Sequence, residues 1–152
     1  GKYDIPTWRV KYTPGKLTAK GKMGSKKYVT TVETTGKATS LQLTSETGNS
    51  IKGDGNDIAI ITVKIVDSKK RLVPTANHRI CFKVENGIVL GVGNGNPSCH
   101  EPDVFPQGVL VERSAFSGYA QLIIRSDRSG KPINIVATSE HLNESQIQIS
   151  IR

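Results

Sequence analysis

The sequence predicts an all-β fold, a sandwich of two packed sheets, and three observations carry that prediction. Short segments rich in Val, Ile and Thr alternate apolar and polar residues with period two. Clusters of Gly, Pro, Asn, Asp and Ser interrupt them at intervals of roughly ten residues. No stretch holds a 3.6-residue period that would define a helix. The 152 residues suffice for one domain, or one domain plus a fragment. The chain opens without an initiator methionine and reads as a piece of something longer.

Residues 1–36 read as about three strands. Trp8-Arg9-Val10-Lys11-Tyr12 alternates large and charged side chains, and Thr13-Pro14-Gly15 turns the chain. Leu17–Gly21 and Tyr28–Val32 follow, joined by a polar turn at Met23-Gly24-Ser25. Three strands bury too little to stand alone, so a boundary is placed near Gly36, with a second domain over 37–152.

That second domain predicts about seven strands. Leu41 and Leu43 alternate with Gln42 and Thr44. Ile58–Asp67 gives the clearest pattern, with Ile61, Val63 and Ile65 on one face. Ile80, Phe82 and Val84 define the next inward face, and Ile88, Leu90 and Val92 the one after. Val109–Arg113, Gly118–Arg125, Ile133–Thr138 and Gln146–Ile151 complete the set, the last with Ile147, Ile149 and Ile151 on one side. Burying such faces between sheets about 10 Å apart would build the core.

The net charge of +8 is uneven. Residues 1–36 hold eight Lys/Arg against Asp4 and Glu33, leaving +6; residues 37–152 hold thirteen against eleven, leaving +2. Lys16, Lys20, Lys22, Lys26 and Lys27 flank a hairpin pattern, where lysines solvate a face or guard an edge. Nucleic-acid binding would need base-reading or stacking groups beside them, so no nucleic-acid partner is predicted. No apolar run approaches the roughly 18 residues of a membrane span, and no membrane partner is predicted. Cys81 and Cys99 are too few for a disulfide framework or a zinc site, and their pairing is open.

The stretch Asn86–Pro102 organises the chain: an apolar strand runs into a loop of residues that tolerate positive φ. Within Gly93–Phe105, residues Asn94, Asn96, His100, Glu101 and Phe105 are the candidates for structural or contact roles. Glu101 and Asp103 are the one acidic pair in this loop, but nothing nearby suggests the apolar pocket that raises a catalytic carboxyl. Glu101 is expected instead to accept backbone N–H groups, with His100 packing or bonding within the loop. His78, His100 and His141 lie too far apart for ligand spacing. Asp54-Gly55-Asn56-Asp57 lacks the further ligands of a calcium loop and predicts an Asx turn. Gly91, Gly93 and Gly95 precede no helix that could hold a phosphate. Neither catalytic, metal nor cofactor residues are therefore assigned. For sugar contact, the exposed aromatic candidates are Trp8, Tyr12, Phe105 and Tyr119.

Two sets of residues carry a family resemblance. Ile51-Lys52, Asp54-Gly55-Asn56-Asp57, Thr62-Val63, Asp67 and Leu72-Val73-Pro74 resemble bacterial immunoglobulin-like repeats of the invasin type. Phe82, Val84-Glu85, Gly87, Gly91–Pro97, His100-Glu101-Pro102 and Ala115-Phe116 with Gly118 resemble the C-terminal immunoglobulin-like domain of glycoside hydrolase family 2 β-galactosidases. Trp8-Arg9-Val10, Tyr12, Pro14-Gly15, Leu17, Ala19, Val32, Thr34 and Gly36 resemble the tail of the small β-domain that precedes it there. Cys99 stands where that pattern has a small hydroxyl residue. The resemblance implies an immunoglobulin-like β-sandwich over 37–152, behind the C-terminal part of a small β-domain over 1–36. It further implies a non-catalytic, scaffolding piece of a periplasmic or extracellular bacterial enzyme that hydrolyses β-galactosides, with neighbouring domains of that enzyme as partners. The family's catalytic glutamates lie on a (β/α)8 barrel, and no strand–helix alternation occurs here. Two other roles fit the residues: a carbohydrate-binding module, and an adhesin-like surface repeat. Residues 1–36 and 37–152 are not copies of each other, which weighs against an adhesin array.

Overall fold

A computed structural model describes residues 7–152. It divides into two compact units after Thr34. Thr35 and Gly36 belong with the second unit, where the Gly36 amide donates to Asp67 Oδ2 at 2.9 Å.

The first unit is an antiparallel hairpin of β1 (Lys16–Met23) and β2 (Lys26–Glu33). Gly24, at φ +61°, makes the turn, and Thr34 N donates to Gly15 O at 2.8 Å to close the open end. The strand expected over Trp8–Tyr12 is absent. A strand exists by pairing, and this alternating segment finds no ladder among the described residues. Trp8 and Tyr12 stay 68% and 73% exposed.

The second unit is all-β. Its strands are β3 (Ser40–Ser45), β4 (Ser50–Ile51), β5 (Ile58–Val66), β6 (Arg79–Glu85), β7 (Gly87–Gly93), β8 (Val111–Ser114), β9 (Tyr119–Ser126), β10 (Ile133–Ser139) and β11 (Leu142–Ile151). Among the described residues these are nine strands against the seven or so expected, and the one without a counterpart among the segments read, β4, is two residues long, too short to show a period. One sheet runs β7-β9-β5-β3 and the other β11-β10-β6-β8. They meet at one side, where β11 lies parallel to β3 and β4. The inner faces supply Leu41, Ala59, Ile61, Val63, Ile65, Leu122 and Ile124 from one sheet, and Ile80, Phe82, Ile133, Ile135 and Ile149 from the other. This is the immunoglobulin-like sandwich predicted.

The chain changes sheets between β6 and β7 at Asn86, which takes φ +60° and donates through Nδ2 to Pro132 O at 2.9 Å. Gly87 must follow without a side chain, since a Cβ there would stand 2.8 Å from Ile133 Cγ2.

β7 departs from its expected face. Val89 pairs with Ile124 and Gly91 with Ile123, so Leu90 is an extra residue bulged from the ladder. The bulge reverses the parity. Val89 and Val92 therefore face the core, while Leu90 is 39% exposed. Likewise the ladder of β8 begins at Val111, leaving Val109 and Leu110 exposed in the loop before it. Cys81 and Cys99 are both free thiols, each half-buried.

Candidate functional site

β7 and β8 are the terminal strands of the two sheets, and residues 94–110 connect them across the side that β3 and β11 leave open. The loop's first turns are built from asparagine side chains. Asn94 Oδ1 accepts the Asn96 amide at 3.0 Å, and Asn96 Oδ1 accepts the Ser98 amide at 3.0 Å. Cys99 N then donates to Asn96 O at 3.1 Å. Asn94 also reaches across to β8, donating through Nδ2 to Ser114 O at 2.8 Å.

Glu101 answers from the other side of the loop. Its carboxylate accepts the Ser114 amide at 2.8 Å and the Ser114 hydroxyl as well. These two Ser114 bonds, ahead of the nearby Arg79 and Arg113 cations, hold the Glu101 carboxyl below the usual carboxylate range. A general acid of a retaining glycosidase needs the opposite shift, produced by an apolar pocket.

Asp103 faces elsewhere. Its carboxylate is 71% exposed and pairs with Arg113 Nη2 at 2.6 Å, while its carbonyl accepts the Val92 amide of β7 at 2.8 Å. Gly91 leaves room for that approach, since a Cβ would lie 3.1 Å from Asp103 O. Glu101 and Asp103 are thus committed to different partners and form no catalytic pair.

Arg113 is the residue that sequence reasoning missed. It is buried, and its Nη1 donates to Glu101 O at 2.9 Å and, more weakly, to Pro102 O at 3.4 Å. A signal existed: Val111, Arg113 and Ala115 share strand parity, so a charge on the inward face had to find acceptors. Together Asn94, Glu101, Asp103, Arg113 and Ser114 stitch β7 to β8. Phe105 packs half-buried against the core, whereas His100 is exposed and its ring makes no hydrogen bond among the described residues.

Two smaller constellations are structural. Asp54 Oδ1 accepts the Asn56 and Asp57 amides at 2.8 and 3.0 Å, the Asx turn that opens β5. Asp67, fully buried, accepts from the Gly36, Lys69 and Arg71 amides and from the Arg71 guanidinium at 2.6 Å. Arg71 first, and the amides after it, hold its carboxyl well below the usual carboxylate range. Among the described residues, no three His, Cys, Asp or Glu side chains gather as a metal site would require.

The family described as glycoside hydrolase family 2 C-terminal domain 5 matches residues 41–148. The chain is 34% identical over 148 residues to the β-galactosidase BoGH2A of Bacteroides ovatus, covering 94% of this chain and 16% of that protein. It is 35% identical over 101 residues to a β-glucuronidase of Formosa agariphila, covering 64% of this chain and 10% of that one. Among solved structures, a glycosyl hydrolase family 2 member from Bacteroides cellulosilyticus superimposes with a TM-score of 0.87 at 30% identity, over 95% of this chain and 18% of the other.

Proposed function

The chain belongs to the glycoside hydrolase family 2 C-terminal domain 5 family, a non-catalytic domain of these hydrolases, and from that premise we propose that it scaffolds a β-galactosidase. The observation that carries this reading is the match to a β-galactosidase along 94% of the chain, both units included. The role of scaffold accords with a loop whose carboxylates are spent on internal bonds. It also accords with two apolar surfaces that the parent enzyme would cover.

On the first unit, Trp8, Val10, Leu17 and Ala19 line one groove. Leu17, Tyr28 and Val32 share a face of the hairpin and are exposed. The first unit, ending at Thr34, is accordingly read as the C-terminal part of a small β-domain, whose remaining strands would bury that face. On the second unit, Val104 stands exposed, and the exposed Val109 and Leu110 line, with Phe82, Val84 and Phe105, a cleft of about 780 Å³. A neighbouring domain of the parent enzyme is the occupant this apolar rim suits.

A chromogenic β-galactoside assay on the 152-residue chain tests the assignment. No turnover is expected; turnover abolished by Glu101→Ala would overturn it. The reading frame upstream of Gly1 supplies the second test, where a (β/α)8 barrel with two glutamates is expected and a different catalytic fold would refute the parentage.

A further inference from the structure

The outer face of the β7-β9-β5-β3 sheet carries a built surface that scaffolding does not require. Pairing across the strands sets Gln42, Lys64 and Tyr119 in one row, and Thr44, Thr62, Gln121 and Gly93 in the next. Their sequence neighbours Leu41, Val63, Ala120, Leu122 and Val92 are buried, so both rows point away from the core. Gly93 adds no side chain, and a Cβ there would meet nothing within 4 Å, which keeps the floor open. Glu46, from the turn after β3, and Asn94 with Gly95, from the start of the β7–β8 loop, complete the walls of a cleft of about 480 Å³. That volume lies within the range of small-ligand clefts.

The cleft's chemistry selects a class of ligand. Tyr119, 39% exposed, offers an apolar ring with a polar edge. Lys64 Nζ lies 5.9 Å from the centre of that ring and, among the described residues, pairs with no carboxylate. Glu46 is exposed and pairs with no cation there. An anion or a cation would be attracted by one of these charges and repelled by the other. A neutral polyol satisfies both: each hydroxyl can donate to Glu46 and accept from Lys64, and Gln121 does either. A pyranose also presents a C–H face that can lie on the Tyr119 ring. We infer that this outer face binds a neutral sugar, one pyranose unit resting on Tyr119 between Glu46 and Lys64.

The inference stands apart from the scaffolding role, which needs no sugar contact, so either can fail alone. The test is a titration of the ¹⁵N-labelled 152-residue chain with lactose and with cellobiose, with galacturonate as the anionic control. The amides of Gly93, Gly95, Tyr119 and Gln121 are expected to move on one saturation curve for at least one neutral sugar, with a Kd on the order of 1 mM. Tyr119→Ala should weaken binding about tenfold, equivalent to about 1.4 kcal/mol. Gln121→Ala should weaken it about threefold, and serves as the readout if the tyrosine variant fails to fold. The inference is overturned by shifts that never saturate, by shifts centred elsewhere, by tighter binding of galacturonate, or by a folded variant that binds as well as the parent chain.

Discussion

Arg113→Ala is the perturbation that most directly probes how the sandwich is closed. Arg113 is 4% exposed, so its bond to the Glu101 carbonyl is a charged donor in a dry setting, worth about 1.5–3 kcal/mol. The pair with Asp103 adds only about 0–1 kcal/mol, because that carboxylate is mostly in water. Removing the buried aliphatic stem costs about 1–2 kcal/mol more, at about 0.8 kcal/mol per methylene. The expected loss is about 2.5–6 kcal/mol. For a domain the size of Thr35–Arg152, each kcal/mol moves the melting point by about 4 °C, so Tm should fall by about 10–24 °C. Urea and thermal unfolding followed by far-UV circular dichroism measure it. Asp103→Ala should cost no more than about 1 kcal/mol in the same assay. A loss under about 1 kcal/mol for Arg113→Ala, or equal losses for the two variants, would refute the view that the buried carbonyl contact closes the loop.

Two further expectations follow from the same geometry. Asp67 and Glu101 are both held below their ordinary values, Asp67 chiefly by Arg71 and Glu101 chiefly by the Ser114 hydroxyl. A carboxyl depressed in the folded state stabilises it fully above the unfolded-chain value, about pH 4, and that contribution disappears as pH falls through the folded value. Urea midpoints measured from pH 7 down to pH 2 should therefore drop below about pH 4, and Asp67→Asn should flatten that acid limb; an equally steep limb in the variant would contradict the assignment. On β7, Val89→Ala should cost about 1.5 kcal/mol for two lost methyl groups, whereas Leu90→Ala should stay within about 0.5 kcal/mol. The reverse order would mean that the bulge is misplaced.

The strands with unbroken alternation could be read directly from the chain. Ile61, Val63 and Ile65 on β5, and Ile133, Ile135 and Ile149 across the β10–β11 pair, lie in segments whose period of two matches the pleat. So could the Asx turn at Asp54, because a side chain bonding the amides two and three residues on is a local event. Glu101's attraction to backbone amides was legible as a tendency, but its partner was not. Ser114 lies thirteen residues away, and only the closure of two sheets brings it within 2.8 Å. The β7 bulge was equally hidden, because Ile88, Leu90 and Val92 alternate well and the register is fixed by β9, not by β7 itself. Trp8–Tyr12 shows the converse, a good strand pattern with no ladder to join among the described residues. The sequence by itself determined what the regularly alternating strands such as β5, β10 and β11 would bury and where a local turn such as that at Asp54 would form, since both depend on neighbours along the chain. Which charges would be neutralised, which edge would be sealed, and which outer rows would line a cleft were decided by the tertiary structure, because those outcomes depend on groups that become neighbours only when the sheets close.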